Sequence, residues 1–259
     1  MFKVRMFSRL VILVLSAMGA TSAVAAESPK PSGKVSIETK SIAAGIGVLP
    51  LDDRFAERAD PSLKPSHLRG KTSFVYPSGT VRVPERSSPY TKNLHHTIAA
   101  EVEIPQGGAD GVLVCCGGIG GGFTVFMKDG KLYWEHNYYN EVRYRVSSTE
   151  TIPPGRKVLS AEVKVDKEGK FETGGTVTLR LGKKAIGEGR FEKQIGGFFT
   201  ANESFDIGCD TVSPVSDLYE TPFPFTGKII KVMVDVSEAT FEQLAEQHEV
   251  RARIAMATQ

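Results

Sequence analysis

The chain has 259 residues, with 32 Lys+Arg against 30 Asp+Glu, and its 41% hydrophobic side chains can bury one good core. Three of the basic residues, Lys3, Arg5 and Arg9, stand at the very start, so the rest is close to neutral. That balance argues against a nucleic-acid partner or an anionic membrane surface, and no stretch beyond the first 26 residues is long and apolar enough to cross a bilayer.

Residues 1–26 read as a secretory signal peptide. The basic residues form its n-region, 10–20 its apolar run, and Ser22-Ala23-Val24-Ala25-Ala26 its small-residue cleavage zone. The expectation is an exported protein, periplasmic or secreted, starting near Glu27 and not inserted in a membrane after cleavage. Residues 27–71 mix Pro, Ser, Gly and charge without a sustained period, which predicts an irregular N-terminal arm with one short helical turn near 52–58. The short apolar runs 72–76 and 80–83, split by Pro77-Ser78-Gly79, read as a first hairpin.

From Thr97 the period is two. Ile98, Ala100, Val102 and Ile104 alternate with Glu101 and Glu103, and the same pattern recurs at Ala161, Val163 and Val165 and at Val177, Leu179 and Leu181. Val142, Tyr144 and Val146 stand opposite Arg143 and Arg145. Ile230, Val232, Val234 and Val236 stand opposite Lys231, Met233 and Asp235. Turn residues separate these runs at Pro105-Gln106-Gly107-Gly108, Asp129-Gly130, Pro153-Pro154-Gly155, Glu168-Gly169, Gly174-Gly175 and Gly182-Lys183. Short strands with such turns and no helices between them predict a mainly β protein: an antiparallel β-sandwich of jelly-roll or concanavalin-like type over 72–236. A helix is expected only over 237–259, with Ser237 as its N-cap.

The stretch 111–144 is the densest part of the chain. Its glycines 117, 118, 120, 121 and 122 suggest a phosphate cradle, but no Lys-Ser/Thr pair follows and the next element is a strand, so a structural bend is the reading. Cys115, Cys116 and Cys209 permit one bridge in an oxidising compartment, Cys209 with Cys115 or Cys116; the alternative is three buried thiols. Tyr133, Trp134, Tyr138 and Tyr139 offer a stacking platform for a sugar. The candidate ligand surface is Trp134 and Tyr138 with Arg143 and Arg145, whose charge suits an anionic or sulfated glycan. Asp206, Asp210 and Asp217 could hold Ca²⁺ in an oxygen-rich loop, although regular ligand spacing is lacking; no other cofactor is expected. His95, His96 and His136 form no catalytic order with Ser, Cys or Asp, and Glu101 and Glu103 read as solvent-facing charge.

Several segments together resemble the C-terminal β-sandwich domain of large bacterial arylsulfatases: VLPLDDRFAER (48–58), HTIAAEVEIPQGGADGVLVCCGGIGGGFTVFMKDGKLYWEHNY (96–138), GGTVTLRLGKKAIGEGRFEK (174–193), FDIGCDTVSPVSD (205–217) and FTGKIIKVMVD (225–235). In such enzymes a separate α/β domain carries the formylglycine and the calcium carboxylates. No formylglycine signature surrounds Cys115, Cys116 or Cys209, so the resemblance transfers no catalytic residue. It implies an accessory domain that binds a catalytic sulfatase chain or a glycan, or a sulfatase component active only in complex.

Overall fold

The computed structural model describes residues 68, 70–199 and 202–237. The signal segment, nearly all of the arm and the C-terminal helix expected after Ser237 lie outside the described residues. Twelve strands follow in chain order: β1 (Ser73–Tyr76), β2 (Val83–Pro84), β3 (His96–Ile104), β4 (Gly111–Gly118), β5 (Gly121–Lys128), β6 (Lys131–Tyr138), β7 (Val142–Ser147), β8 (Gly155–Val165), β9 (Gly175–Leu181), β10 (Lys184–Phe191), β11 (Ser204–Ile207) and β12 (Lys228–Val236). They make two six-stranded sheets, β1-β12-β3-β8-β9-β10 (sheet A) and β2-β11-β4-β5-β6-β7 (sheet B), paired antiparallel throughout. The expected antiparallel β-sandwich is thus observed.

Alternation explains the core. Ile98, Ala100, Val102 and Ile104 of β3, Ala161, Val163 and Val165 of β8, and Val177 and Leu179 of β9 are all buried. They meet Val125, Met127, Leu132, Trp134 and Val146 of sheet B in one cluster. The opposite face of sheet A is solvated and charge-compensated: Arg156 and Lys231 pair with Glu101, Arg180 and Lys164 with Glu162, and Arg190 with Asp166. Such pairs contribute little stability each.

Sheet B departs from this pattern. Every residue of β4 is buried, because the 208–227 connection folds over its outer face. Val112, Cys115 and Phe126 pack there against Val215 and Tyr219, a second small core that alternation alone does not announce.

Two sequence expectations need correction. The runs around Pro77-Ser78-Gly79 are not a hairpin: β1 pairs with β12 in sheet A and β2 with β11 in sheet B, so the turn carries the chain between layers. The alternation of β12 breaks between Ile229 and Lys231, where a bulge buries Ile229 and turns Ile230 to solvent. The two glycine-rich predictions hold. Asp129 and Gly130 both have positive φ, 51° and 73°, as a two-residue hairpin turn requires. Gly117 and Gly122 face each other across β4 and β5 so closely that a Cβ on either would stand 2.1 Å from a backbone oxygen. The glycines serve strand approach, not phosphate.

Candidate functional site

The residues singled out from the sequence fall into separate places. Trp134 is 1% exposed in the inter-sheet core, tilted against Phe191 with ring centroids 5.6 Å apart, so it presents no ligand surface. Tyr138 is nearly buried beside it. Arg143 and Arg145 do lie on the outer face of sheet B, but the 208–227 connection engages both, leaving Arg143 half-buried and Arg145 exposed. Arg145 Nε donates to buried Glu135 at 2.5 Å, and its Nη2 pairs with Asp217. Arg143 donates to the Val215 carbonyl and, at 2.8 Å, to Asn140 Oδ1. These arginines clamp a loop instead of greeting a glycan; burial of Glu135 gives the physical reason.

The aspartates are also engaged. Asp206 accepts the Arg82 N–H at 2.5 Å, the Thr211 hydroxyl at 2.8 Å and the Ser204 hydroxyl at 3.0 Å. Asp210 accepts the Tyr219 hydroxyl at 2.7 Å and the Val215 N–H at 3.1 Å, and burial raises its carboxyl to about 6. Asp217 faces the arginines. Among the described residues no three such groups converge on a metal position.

All three cysteines are free thiols. Alternation sends Cys116 into the inter-sheet core and Cys115 to the outer face, where its Sγ lies 3.8 Å from the Cys209 carbonyl. Burial pushes the Cys116 thiol up to about 12 and the Cys115 thiol well up, so both are inert in this environment.

The feature with ligand-binding character is the end of the sandwich where β3 begins and β6 ends. A one-turn 3-10 helix, Glu85–Ser87, and the 192–199 segment meet there. Glu85 pairs with the buried ammonium of Lys92, and its carboxylate accepts the Phe199 N–H at 3.0 and 3.2 Å. Lys92 Nζ sits 4.1 Å over the Phe199 ring. Behind them, the Ile195 N–H donates to His136 Nε2 at 3.1 Å, and Gln194 Oε1 accepts the Asn93 N–H at 2.5 Å. His136 stacks on Trp134 and meets Phe199 edge-on. Desolvation lowers His136 to about 3 and His96 to about 4, so both imidazoles are neutral.

On this base the neighbouring residues point outward. Phe198 is 44% exposed with the Arg86 guanidinium 4.8 Å above its ring. Tyr139 is 42% exposed, edge-on to Tyr138 at 4.9 Å, and its hydroxyl comes within 4.0 Å of a Cβ position on Gly197. Tyr139 and Asn140 form the β6–β7 turn with φ of 51° and 59°. A tyrosine in left-handed backbone costs about 1 kcal/mol or more, and such strain concentrates at functional positions. Buried Asn137 holds this turn to the glycine bend: its Nδ2 donates to the Gly118 and Ile119 carbonyls at 2.9 and 3.0 Å, and its Oδ1 accepts the Asn140 N–H at 2.8 Å. Lys193 Nζ lies 5.7 Å over Tyr138, whose phenol burial and the Glu172 carboxylate push up to about 12.

Sequence reasoning found Tyr138 and Tyr139 but missed Phe198 and Arg86. The available signal was Tyr139-Asn140 between two strands, where Asn-Gly would be expected. A shallow cleft of about 470 Å³ at the other end of β3 is lined by Glu103, Gln106, Thr226 and Lys228 and carries no aromatic side chain.

No family model and no curated protein matches the chain. Among solved structures, it is similar to the CBM40 module of the Ruminococcus gnavus IT-sialidase bound to α2,3-sialyllactose, at 15% identity and a TM-score of 0.43, over 70% of this chain and 96% of that one. It is also similar to domain 4 of AbnA, a GH43 extracellular arabinanase from Geobacillus stearothermophilus in complex with arabinotriose, at 16% identity and a TM-score of 0.41, over 69% and 82%. The receptor-binding domain of botulinum neurotoxin D follows at 7% identity and a TM-score of 0.38, over 69% of this chain and 48% of that one. The arylsulfatase resemblance is therefore withdrawn: no family model matches, and the similar solved structures are a sialidase CBM40 module, an arabinanase domain and a toxin domain. With it go the sulfatase partner and the sulfatase component. At these identities and TM-scores the ligand has to be read from this chain's own residues.

Proposed function

We propose that this chain is an exported, non-catalytic carbohydrate-binding β-sandwich that holds a sugar on the aromatic rim formed by Tyr139 and Phe198. The observation that carries this reading is Tyr139: an exposed tyrosine kept in strained left-handed backbone, its hydroxyl reaching the Gly197 position that precedes exposed Phe198. Sugar rings stack their C–H faces on such flat side chains, and polar groups at the edge take the hydroxyls. Asn140, Arg86, Lys193 and Glu172 supply those edges. The buried and neutral state of His96, His136, Cys115 and Cys116 supports binding over catalysis, because none of these groups reaches the rim.

A glycan array with the full chain tests the proposal, followed by calorimetric titration of the best ligand. Tyr139→Ala and Phe198→Ala are expected to weaken binding at least about tenfold each, a loss typical of one stacking contact, with unchanged thermal stability. Absence of binding to any glycan, or full affinity in both variants, overturns the reading. The export signal is tested by N-terminal sequencing of the protein recovered outside the cytoplasm; a start at Met1 would refute it.

A further inference from the structure

The charge at this rim narrows the ligand class; the inference rests on the glycan-binding reading above. Several basic side chains on the strands are neutralised. Arg143 and Arg145 share Glu135 and Asp217, and on the outer face of sheet A Arg156, Lys164, Arg180, Arg190 and Lys231 each meet a carboxylate. Arg86 differs. It is exposed, and among the described residues its guanidinium contacts the Phe198 ring and no carboxylate. The adjacent Glu85 cannot serve it, because that carboxylate is turned inward onto Lys92 and the Phe199 N–H. Lys193, also exposed, lies over Tyr138 with no ion-pair partner among the described residues. Negative groups near the rim act on the tyrosines: Glu172 on both Tyr138 and Tyr139, Glu141 on Tyr138, and the inward-turned Glu85 on Tyr139.

A guanidinium laid over an aromatic face keeps its N–H fork free at the edge, in the plane that matches a carboxylate or sulfate in bidentate fashion. We infer that the rim selects an anionic saccharide, with the ring on Tyr139 and Phe198 and the carboxylate or sulfate on Arg86. Chain geometry makes the pairing dependable. The inward anchors Glu85 and Phe199 each precede or follow one outward residue, so Arg86 and Phe198 are displayed together.

The test is calorimetric titration of the full chain with lactose, sialyllactose and sulfolactose, three ligands sharing one core and differing in the anion. Sialyllactose, sulfolactose or both are expected to bind about tenfold or more tighter than lactose, with affinity falling as salt rises. Which of the two does so tells carboxylate from sulfate. Arg86→Gln should bring sialyllactose and sulfolactose down to the affinity that lactose shows in the same variant, while Arg86→Lys retains part of the advantage; melting curves check that both variants fold. If Arg86→Gln keeps the full advantage, or all three ligands bind equally and Tyr139→Ala abolishes binding, the role of Arg86 is refuted and the glycan-binding reading stands. If glycans bind but Tyr139→Ala and Phe198→Ala leave every affinity unchanged, both readings of this rim fall.

Discussion

Glu85 and Phe199 are joined through one carboxylate and one backbone N–H, at 3.0 and 3.2 Å, although 114 positions separate them in sequence. The same carboxylate neutralises Lys92, and the ammonium rests on the Phe199 ring, so three residues close a compact polar knot at the sandwich end. Removing one member of a buried ion pair strands the other charge, at a cost of about 3–5 kcal/mol. Glu85→Ala should therefore lower unfolding free energy by about that amount in urea titrations. The combined Glu85→Gln and Lys92→Met variant should recover most of it, because no charge is left unpaired. A loss under about 1 kcal/mol in Glu85→Ala would show that the knot is not structural.

Tyr139 should show the reverse relation between stability and binding. Its φ of 51° favours glycine or asparagine, so Tyr139→Gly relieves strain while removing the stacking surface. The expected outcome is a melting temperature equal to or above the parent's, with glycan affinity down at least about tenfold. A clear drop in melting temperature would mean that the ring is held for packing.

Most of the sandwich was legible because its strands are half-buried: Ile98, Ala100, Val102 and Ile104 against Glu101 and Glu103 leave little room for another face assignment. Asp129-Gly130 was legible for the same local reason. Illegible features depend on contacts across the chain. Arg143 and Arg145 alternate as exposed residues do, and the partners that engage them, Val215 and Asp217, come from the 208–227 connection far along the sequence. Trp134 is an aromatic in a strand whether it faces core or solvent, and the layer it meets decides. Arg86 and Phe198 sit in irregular segments with no period, brought together only by the inward anchoring of their neighbours.

Acid should weaken the fold through its histidines. Burial lowers His96 to about 4 and His136 to about 3, the latter further depressed by His96 and Lys92, whereas an unfolded histidine titrates near 6.5. Between those values the unfolded chain takes up protons that the folded one refuses, so stability falls with pH, by about 2 kcal/mol per histidine at pH 5. Asp210 acts oppositely, since its raised folded pKa of about 6 favours the folded state as pH falls toward 4. The histidines outnumber it, and the net slope is downward. Denaturant titrations from pH 8 to pH 5 should show declining stability, with a shallower decline in His136→Gln; a flat or rising profile would contradict the buried neutral state.

The covering of sheet B gives the last prediction. Glu135 is fully buried and receives Arg145 Nε at 2.5 Å and the Ser216 hydroxyl at 2.8 Å, with Arg143 Nη1 at 3.5 Å. It thus ties the 208–227 connection to β6 from below, while Asp217 pairs with the same arginines at the exposed edge. Equal charges in unequal surroundings should contribute unequally. Glu135→Ala leaves two partly buried guanidiniums without their buried counter-ion and is expected to cost about 3–5 kcal/mol. Asp217→Ala removes a solvent-screened partner and should cost less than about 1 kcal/mol. Hydrogen exchange adds a local readout: in Glu135→Ala the amides of Val215, Leu218 and Phe223 should exchange faster, whereas β3 and β8 report only the global loss. Equal effects of the two substitutions would show that the arginines, not the buried carboxylate, hold the connection down.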